Sequence, residues 1–277
     1  MILVDMNQIS LASMMMHLNM NKTTKPDEGM VRHMILNSLR MYRSKFCNEY
    51  GELVLCYDSK HYWRRDFYPQ YKAGRKKGRE ESNLEWDDIF SCLNEIKQEL
   101  KDNFPYKHLE VYGAEADDII ASIIKLQEET IYLVVSGDKD FIQLHDKYVR
   151  QWSPVTKKLV NGIEPHGYLF EHILRGDKSD GIPNVLSADI SIVDGVRQKP
   201  ITKKYVENFV LHNAEISGRS ETEIRNYHRN KKLIDLNETP PSLCEQIWEE
   251  YQKDPHRKRR DLLNIFVEKR LTNTRRE

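Results

Sequence analysis

Three short apolar runs in this 277-residue chain break off at an acid. Residues 2–4 stop at Asp5, residues 53–57 stop at Asp58, and residues 131–135 run into Ser-Gly-Asp-Lys-Asp, which sets Asp138 and Asp140 two apart. A fourth cluster, Glu-Ala-Asp-Asp, brings Glu115, Asp117 and Asp118 to the front of an apolar stretch. Unbroken apolar runs of this length read as strands buried on both faces. Strands are predicted near 1–5, 53–58, 108–112, 131–136 and 148–152. Helical period fills the gaps. Residues 29–49 align Val31, Met34, Ile35, Leu39, Tyr42 and Phe46 before the stop at Gly51, residues 84–100 align Ile89, Leu93, Ile96 and Leu100, and 116–127 is a third candidate. Alternation of this kind predicts an α/β core, a mostly parallel sheet flanked by helices with right-handed crossovers.

The stretch 59–83 fits neither period: it is polar, basic and aromatic, and Pro69, Gly74 and Gly78 break it. Following the second strand, it belongs on the carboxyl edge of the sheet, above the acids. Beyond about residue 165 no strand pattern is left, and 165–175, 200–213, 220–236, 241–252 and 256–271 read as helices. The expected division is a core over 1–165 and a helical region over 166–277.

The carboxyl ends of parallel strands frame the functional crevice of such a sheet, so the seven acids converge. Carboxylates gathered without matching buried cations repel one another unless a hard cation sits among them. The pattern implies Mg²⁺, two ions in all, with Mn²⁺ able to substitute. A lone strand-end Asp is more often a helix N-cap; seven acids arriving by independent rules reverse those odds. Glu115 and Asp118 share a helix face, and Asp138 and Asp140, alternating in an extended segment, point to one pocket. Asp117 is the weakest of the seven. A second group, Asp177 and Asp180, lies in Leu-Arg-Gly-Asp-Lys-Ser-Asp-Gly-Ile-Pro-Asn-Val at 174–185. That segment reads equally as a capped turn or as a turn presenting N–H groups to a DNA phosphate. The ten histidines are scattered and suggest no ligand pair.

The net charge is zero, but the charge is segregated. Residues 60–79 hold eight basic side chains against one acid, Asp66, and residues 253–277 hold nine against four. Basic regions beside an acidic pocket suit a polyanionic substrate. Tyr62, Trp63, Phe67, Tyr68 and Tyr71 interleave the first of them, beyond what a merely solvated face requires. No run reaches the 18–20 apolar residues of a membrane span, and the start of the chain does not read as a signal peptide. Four cysteines without a paired spacing read as reduced thiols, as in a cytoplasm.

In order along the chain stand Val-Asp-Met-Asn, Leu-Val-Leu-Cys-Tyr-Asp-Ser, Tyr-Pro-Gln-Tyr-Lys-Ala-Gly-Arg-Lys-Lys, Glu-Ala-Asp-Asp-Ile-Ile-Ala, Val-Val-Ser-Gly-Asp-Lys-Asp-Phe-Ile-Gln-Leu and Gly-Asp-Lys-Ser-Asp-Gly-Ile-Pro. Together these resemble the flap-endonuclease family of structure-specific 5′ nucleases over most of the chain. Tyr-Lys-Ala-Gly-Arg is similar to the nuclease domain of bacterial DNA polymerase I. The longer basic stretch, with Gln-Trp-Ser-Pro at 151–154, is similar to the branch formed by the ribonuclease H (5′→3′ exonuclease) of T-even-type bacteriophages.

The resemblance implies a PIN-like core, a helical arch over the site within 59–83, and a helical DNA-binding region containing a helix–three-turn–helix. By motif, one metal would use Asp5, Asp58, Glu115 and Asp117 with Asp118 close by, and the second Asp138, Asp140, Asp177 and Asp180. Lys72 and Arg75 would act catalytically, meeting the scissile phosphate and stabilising its transition-state charge. Tyr68 and Tyr71 would stack on the threaded strand or pack in the core. Arg64, Arg65, Lys76, Lys77 and Arg79 would attract the backbone, with Gly181 and Lys199 also at nucleic acid. The family's Gly-Ile-Gly-x-Lys-Thr-Ala hairpin is not kept: residues 184–204 echo it only at Gly195, Lys199 and Pro200, so no K⁺ site is assigned.

The implied activity is a Mg²⁺-dependent 5′→3′ exonuclease and flap endonuclease that acts on RNA–DNA hybrid and duplex DNA. It would remove primers in phage lagging-strand replication, in the cytoplasm of a bacterial host. A monomer is expected, with single-stranded-DNA-binding protein and sliding clamp as partners. The rival readings are a PIN-type endoribonuclease and a non-catalytic DNA-structure-binding protein.

Overall fold

The structure, a computed structural model, describes residues 1–127, 129–211 and 219–255. Strands β1 (Ile2–Asp5), β2 (Leu53–Cys56), β3 (Lys107–Leu109), β4 (Tyr132–Val135), β5 (Val149–Ser153) and β6 (Lys158–Leu159) form one sheet in the order β3-β2-β1-β4-β5-β6. The first five are parallel, and β6 turns back on β5 as an antiparallel edge that the sequence pattern does not announce. Strand order reverses at β1, which pairs with β2 on one side and β4 on the other. A crevice therefore opens beyond the carboxyl ends of β1 and β4. Asp5 closes β1, and Ser136 to Asp140 follow β4, so the chain's acids meet at this point.

Both faces of the sheet are covered, which is why the strands are apolar without alternation. Helices α1 (Met6–Asn21), α2 (Glu28–Tyr50) and α5 (Trp86–Asn103) cover Ile2, Val4, Leu53, Leu55, Leu133 and Val135 on one face. On the other, α6 (Ala116–Leu126) and α10 (Pro241–Gln252) cover Leu3, Val54, Cys56 and Val134. Side chains such as Ile2, Leu3 and Val4 are fully buried, each worth about 1.5–3 kcal/mol. Helix α1 lies outside the elements read from sequence. Its buried stripe includes Ser13 and His17, while Met16 and Met20 face solvent, so hydrophobicity does not mark the packed face.

The basic stretch contains two short helices, α3 (Trp63–Phe67) and α4 (Gly74–Glu80). Helix α7 (Pro165–Arg175) ends at Gly176, and a chain of turns leads to α8 (Lys203–Leu211). The turns close through Ile182 N to Asp177 O, Ser191 N to Ala188 O and Gly195 N to Ile192 O. A helix, a run of turns and a second helix thus follow one another, the arrangement implied by the resemblance for the C-terminal region. Helix α9 (Glu221–Ile234) packs on α7, and Leu243 and Ile247 of α10 return to the sheet. The helix expected over 256–271, with its basic tail, lies outside the described residues. Cys47, Cys56, Cys92 and Cys244 are free thiols. Among the described residues, no helix is long and apolar enough to cross a membrane.

Candidate active site

Asp5 sits where β1 becomes α1. Its Oδ1 accepts the Gln8 amide (3.1 Å), capping the helix, and its Oδ2 accepts Ser136 Oγ (3.0 Å) beyond β4. Asp58, past the end of β2, accepts the Ala116 amide (2.8 Å) at the open N-terminus of α6. Asp117 follows on that first turn, half-buried. Asp138 caps the 3₁₀ turn Lys139–Leu144 by accepting the Asp140 amide (3.0 Å). The segment is a helical turn, not the extended run expected from alternation, yet Asp138 and Asp140 still face the same crevice, where the charge of Asp138 reaches Asp140.

The cluster divides electrostatically into two halves. In one, each acid has a cation. Arg64, at 2% exposure, donates to Glu115 (3.0 Å) and Asp118 (2.8 Å), Lys72 donates to Glu115 (2.5 Å), and Arg75 to Asp180 (2.6 Å). Lys72 Nζ also lies 3.6 Å from Asp180. Burial alone pulls the Lys72 ammonium down, but Glu115 and Asp180 outweigh it and raise its pKa, so it stays charged. The expectation of carboxylates without buried cations is corrected here, because an arch side chain folds inward to meet them.

In the other half, Asp5, Asp58, Asp117, Asp138 and Asp140 have no basic side chain in ion-pair contact among the described residues, save the imidazole of His172 beside Asp140. Burial, with the neighbouring Asp58, pushes Asp5 up to about 7. Burial and Asp138 push Asp140 up to about 7, and the same causes carry Asp117 well above the usual carboxylate range. Asp58 is raised by burial and by Glu115. Such shifts signal negative charge that lacks a counter-ion. Together with Asp138, these acids make an oxygen donor set that fits hard divalent cations. Asp117 faces the same crevice as Asp138 and Asp5, whose charges reach it.

Several roles read from sequence are corrected. Asp118 is fully buried and used up: Arg64, Trp63 Nε1 (3.2 Å), the Glu115 amide (3.0 Å) and Thr239 Oγ1 (2.8 Å) all donate to it. Burial raises its pKa but Arg64 prevails, and the carboxyl is held below its ordinary value. Three of these donors meet Oδ2 and Thr239 meets Oδ1, which ties the carboxylate into the packed interior. Arg64, whose Nε donates to Leu233 O (2.9 Å), is an internal strut and not a DNA contact. Tyr71 is buried with its single hydroxyl proton shared between Glu115 (2.9 Å) and Asp180 (3.2 Å), while Tyr68 is buried and donates to Asp189 O (2.6 Å), so neither ring is free to stack on a base. Gly181 is buried too. At φ +76° its missing Cβ lets Gln70 O approach to 2.8 Å of where that atom would be, while Lys72 N donates to Asp180 O (2.8 Å).

Arg65, Lys76, Lys77 and Lys199 stay exposed, Arg79 is half-buried, and Arg75 is half-exposed above Asp180. Asp177 turns Oδ1 into its own loop, accepting Ser179 N, Ser179 Oγ and Asp180 N. His172, passed over as one of ten scattered histidines, lies between Asp140 (3.3 Å) and Asp177 (3.4 Å). Its place in the last turn of a helix, five residues before an acid of the second motif, was the available signal.

Comparison with known proteins agrees with this geometry. Residues 1–168 match the model of the 5′-3′ exonuclease N-terminal resolvase-like domain, and residues 167–276 match that of the C-terminal part of T4 RNase H. Ribonuclease H of Enterobacteria phage T4 is 34% identical over 98% of this chain and 93% of its own. The chain belongs to the 5′–3′ exonuclease family. It is a metal-dependent 5′ nuclease, of the ribonuclease H and flap endonuclease kind, that hydrolyses phosphodiester bonds. A flap endonuclease Xni of a Shewanella species is 30% identical over 44% of this chain and 48% of its own. Among solved structures, a flap endonuclease of bacteriophage T5, in a product-like complex with DNA and metal ions, superposes with a TM-score of 0.59 at 19% identity, covering 98% of this chain and 97% of that one. At that identity the likeness concerns the fold.

Proposed function

We propose that this 5′ nuclease is a Mg²⁺-dependent, two-metal 5′→3′ exonuclease and flap endonuclease that removes RNA and adjacent DNA from 5′ ends in phage lagging-strand replication. The observation that carries the reading is the uncompensated half of the cluster, five acids at the switch point of the sheet, set beside an exposed cationic stretch. Asp5, Asp58, Asp117, Asp138 and Asp140 would hold the ions, with Glu115 and Asp180 at their margin. Such ions, when bound, activate water and stabilise the leaving oxygen of a phosphodiester.

The remaining chemistry belongs to the chain. Lys72, kept protonated by Glu115 and Asp180, is a fixed positive charge and not a base. With Arg75 it would neutralise charge that develops on the phosphate. Arg65, Lys76, Lys77 and Arg79 draw the strand in by backbone attraction, and Lys199 with the turns after α7 contacts the duplex. The region 166–277 is assigned to duplex binding and 1–165 to hydrolysis. The enzyme acts as a monomer in the host cytoplasm, with single-stranded-DNA-binding protein and sliding clamp as its replication partners.

The test is cleavage of a 5′-labelled flap whose downstream strand begins with RNA, with Mg²⁺ and with EDTA. Short labelled products that require Mg²⁺ support the proposal. Tight binding without cleavage would turn the reading to a structure-binding protein, and cleavage confined to unpaired RNA to an endoribonuclease.

A further inference from the structure

We infer that His172 is a direct nitrogen ligand of the second cation, and that Asp177 orients this imidazole from behind instead of touching the ion. The inference deepens the proposed function and rests on it. His172 faces an open cleft of about 390 Å³, together with Asp138, Asp140 and Asp177. Ligand atoms of Asp140, His172 and Asp177 all lie within 4.8 Å of one another.

The two ring nitrogens differ. Nε2 is 3.4 Å from Asp177 Oδ2, the one oxygen of that carboxylate not engaged in its own turn. Asp177 is thereby placed to accept Nε2–H and to fix the tautomer. Nδ1 is 3.3 Å from Asp140 Oδ1, yet it is buried and has no hydrogen-bond partner. In the neutral ring with its proton on Nε2, the buried Nδ1 lone pair lies 3.3 Å from a carboxylate oxygen, a contact relieved by a proton on Nδ1 in the free protein and by a cation that displaces that proton when one is bound. The spacing fits one. Around a six-coordinate Mg²⁺ at about 2.0–2.1 Å from its ligands, neighbouring ligands stand about 2.9 Å apart, and a slightly larger ion matches a wider pair. A carboxylate that accepts the distal N–H of a ligating imidazole sets the ring and raises its basicity. Imidazole also tilts a site from Mg²⁺ towards ions such as Mn²⁺ and Co²⁺. This chain's second site is thus a mixed carboxylate–imidazole site.

The experiment loads the full chain with Mn²⁺ and records pulsed electron paramagnetic resonance. Coupling to a directly bonded ¹⁴N is expected, switching to the ¹⁵N pattern when the protein carries ¹⁵N-histidine, a test that needs no mutation. The coupling should vanish in His172→Gln. Asp177→Ala should retain it while weakening Mn²⁺ binding about 10–100-fold. Bound Mn²⁺ without nitrogen coupling, or coupling that survives His172→Gln, overturns ligation by His172 and leaves the nuclease reading intact. Unchanged Mn²⁺ affinity in Asp177→Ala overturns the orienting part. A wild-type protein that neither binds Mn²⁺ nor cleaves overturns the inference together with the reading beneath it.

Discussion

Asp5→Asn removes one charge from the uncompensated half of the cluster while keeping the size of the side chain and its cap on α1. In the metal-free protein the Asp5 carboxyl is pushed from 3.8 up to about 7, by burial first and Asp58 next. At about 1.36 kcal/mol per unit, the ionised form costs the fold roughly 4 kcal/mol at pH values above that range. The amide oxygen of Asn can still accept the Gln8 amide. It cannot serve Ser136 Oγ equally well, a loss of about 1 kcal/mol. The variant should therefore be more stable than wild type by roughly 2–3 kcal/mol near pH 8 in EDTA. The sign follows from linkage. A carboxyl raised in the folded state carries no penalty below its unfolded pKa, and the penalty grows as pH rises towards about 7 and is constant above. Urea unfolding of both proteins, with EDTA and then with Mg²⁺, reads this directly. The gap should close at acidic pH, and Mg²⁺ should favour wild type, whose cluster it neutralises; cleavage by the variant should be lost. A variant less stable than wild type near pH 8 in EDTA would refute the charge argument.

Arg64→Ala should cost about 3–5 kcal/mol in urea unfolding, because Asp118 is left buried without its cation and Glu115 keeps Lys72 alone; Arg65→Ala, on the exposed side of the same helix, should leave stability unchanged. Lys72→Ala should lower single-turnover cleavage about 10²–10³-fold while changing flap affinity far less, and an effect confined to affinity would demote Lys72 to a backbone contact. Neutralising Lys76, Lys77 and Arg79 together should flatten the salt dependence of DNA binding, by roughly 0.7–0.9 in log–log slope for every phosphate these side chains neutralise. Gly181→Ala forces a side chain into left-handed backbone against Gln70 O, so thermal unfolding should show a loss of about 1–3 kcal/mol and slower cleavage through a displaced Lys72.

The five parallel strands and the acids at their ends were legible in the sequence because each depends on local pattern. A buried parallel strand must be apolar on both faces, and a chain leaving its carboxyl end enters the crevice. Asp5, Asp58 and Asp138 follow from that rule alone, and the ordered motifs carried the family. Charge compensation was not legible. The basic stretch reads as one exposed polyelectrolyte, and nothing local separates Arg64 from Arg65 or marks Tyr71 as buried. Arg64 turns inward because it meets Glu115 and Asp118, 51 and 54 residues away, and Asp118 is tied down from its other oxygen because Thr239 arrives from 121 residues away. His172 gained its setting in the same manner, between acids brought together from two motifs. Hydrophobic periodicity is a property of neighbours in the chain. The state of a buried charge depends on which opposite charges the fold delivers within a few ångströms, and only the tertiary structure decides that.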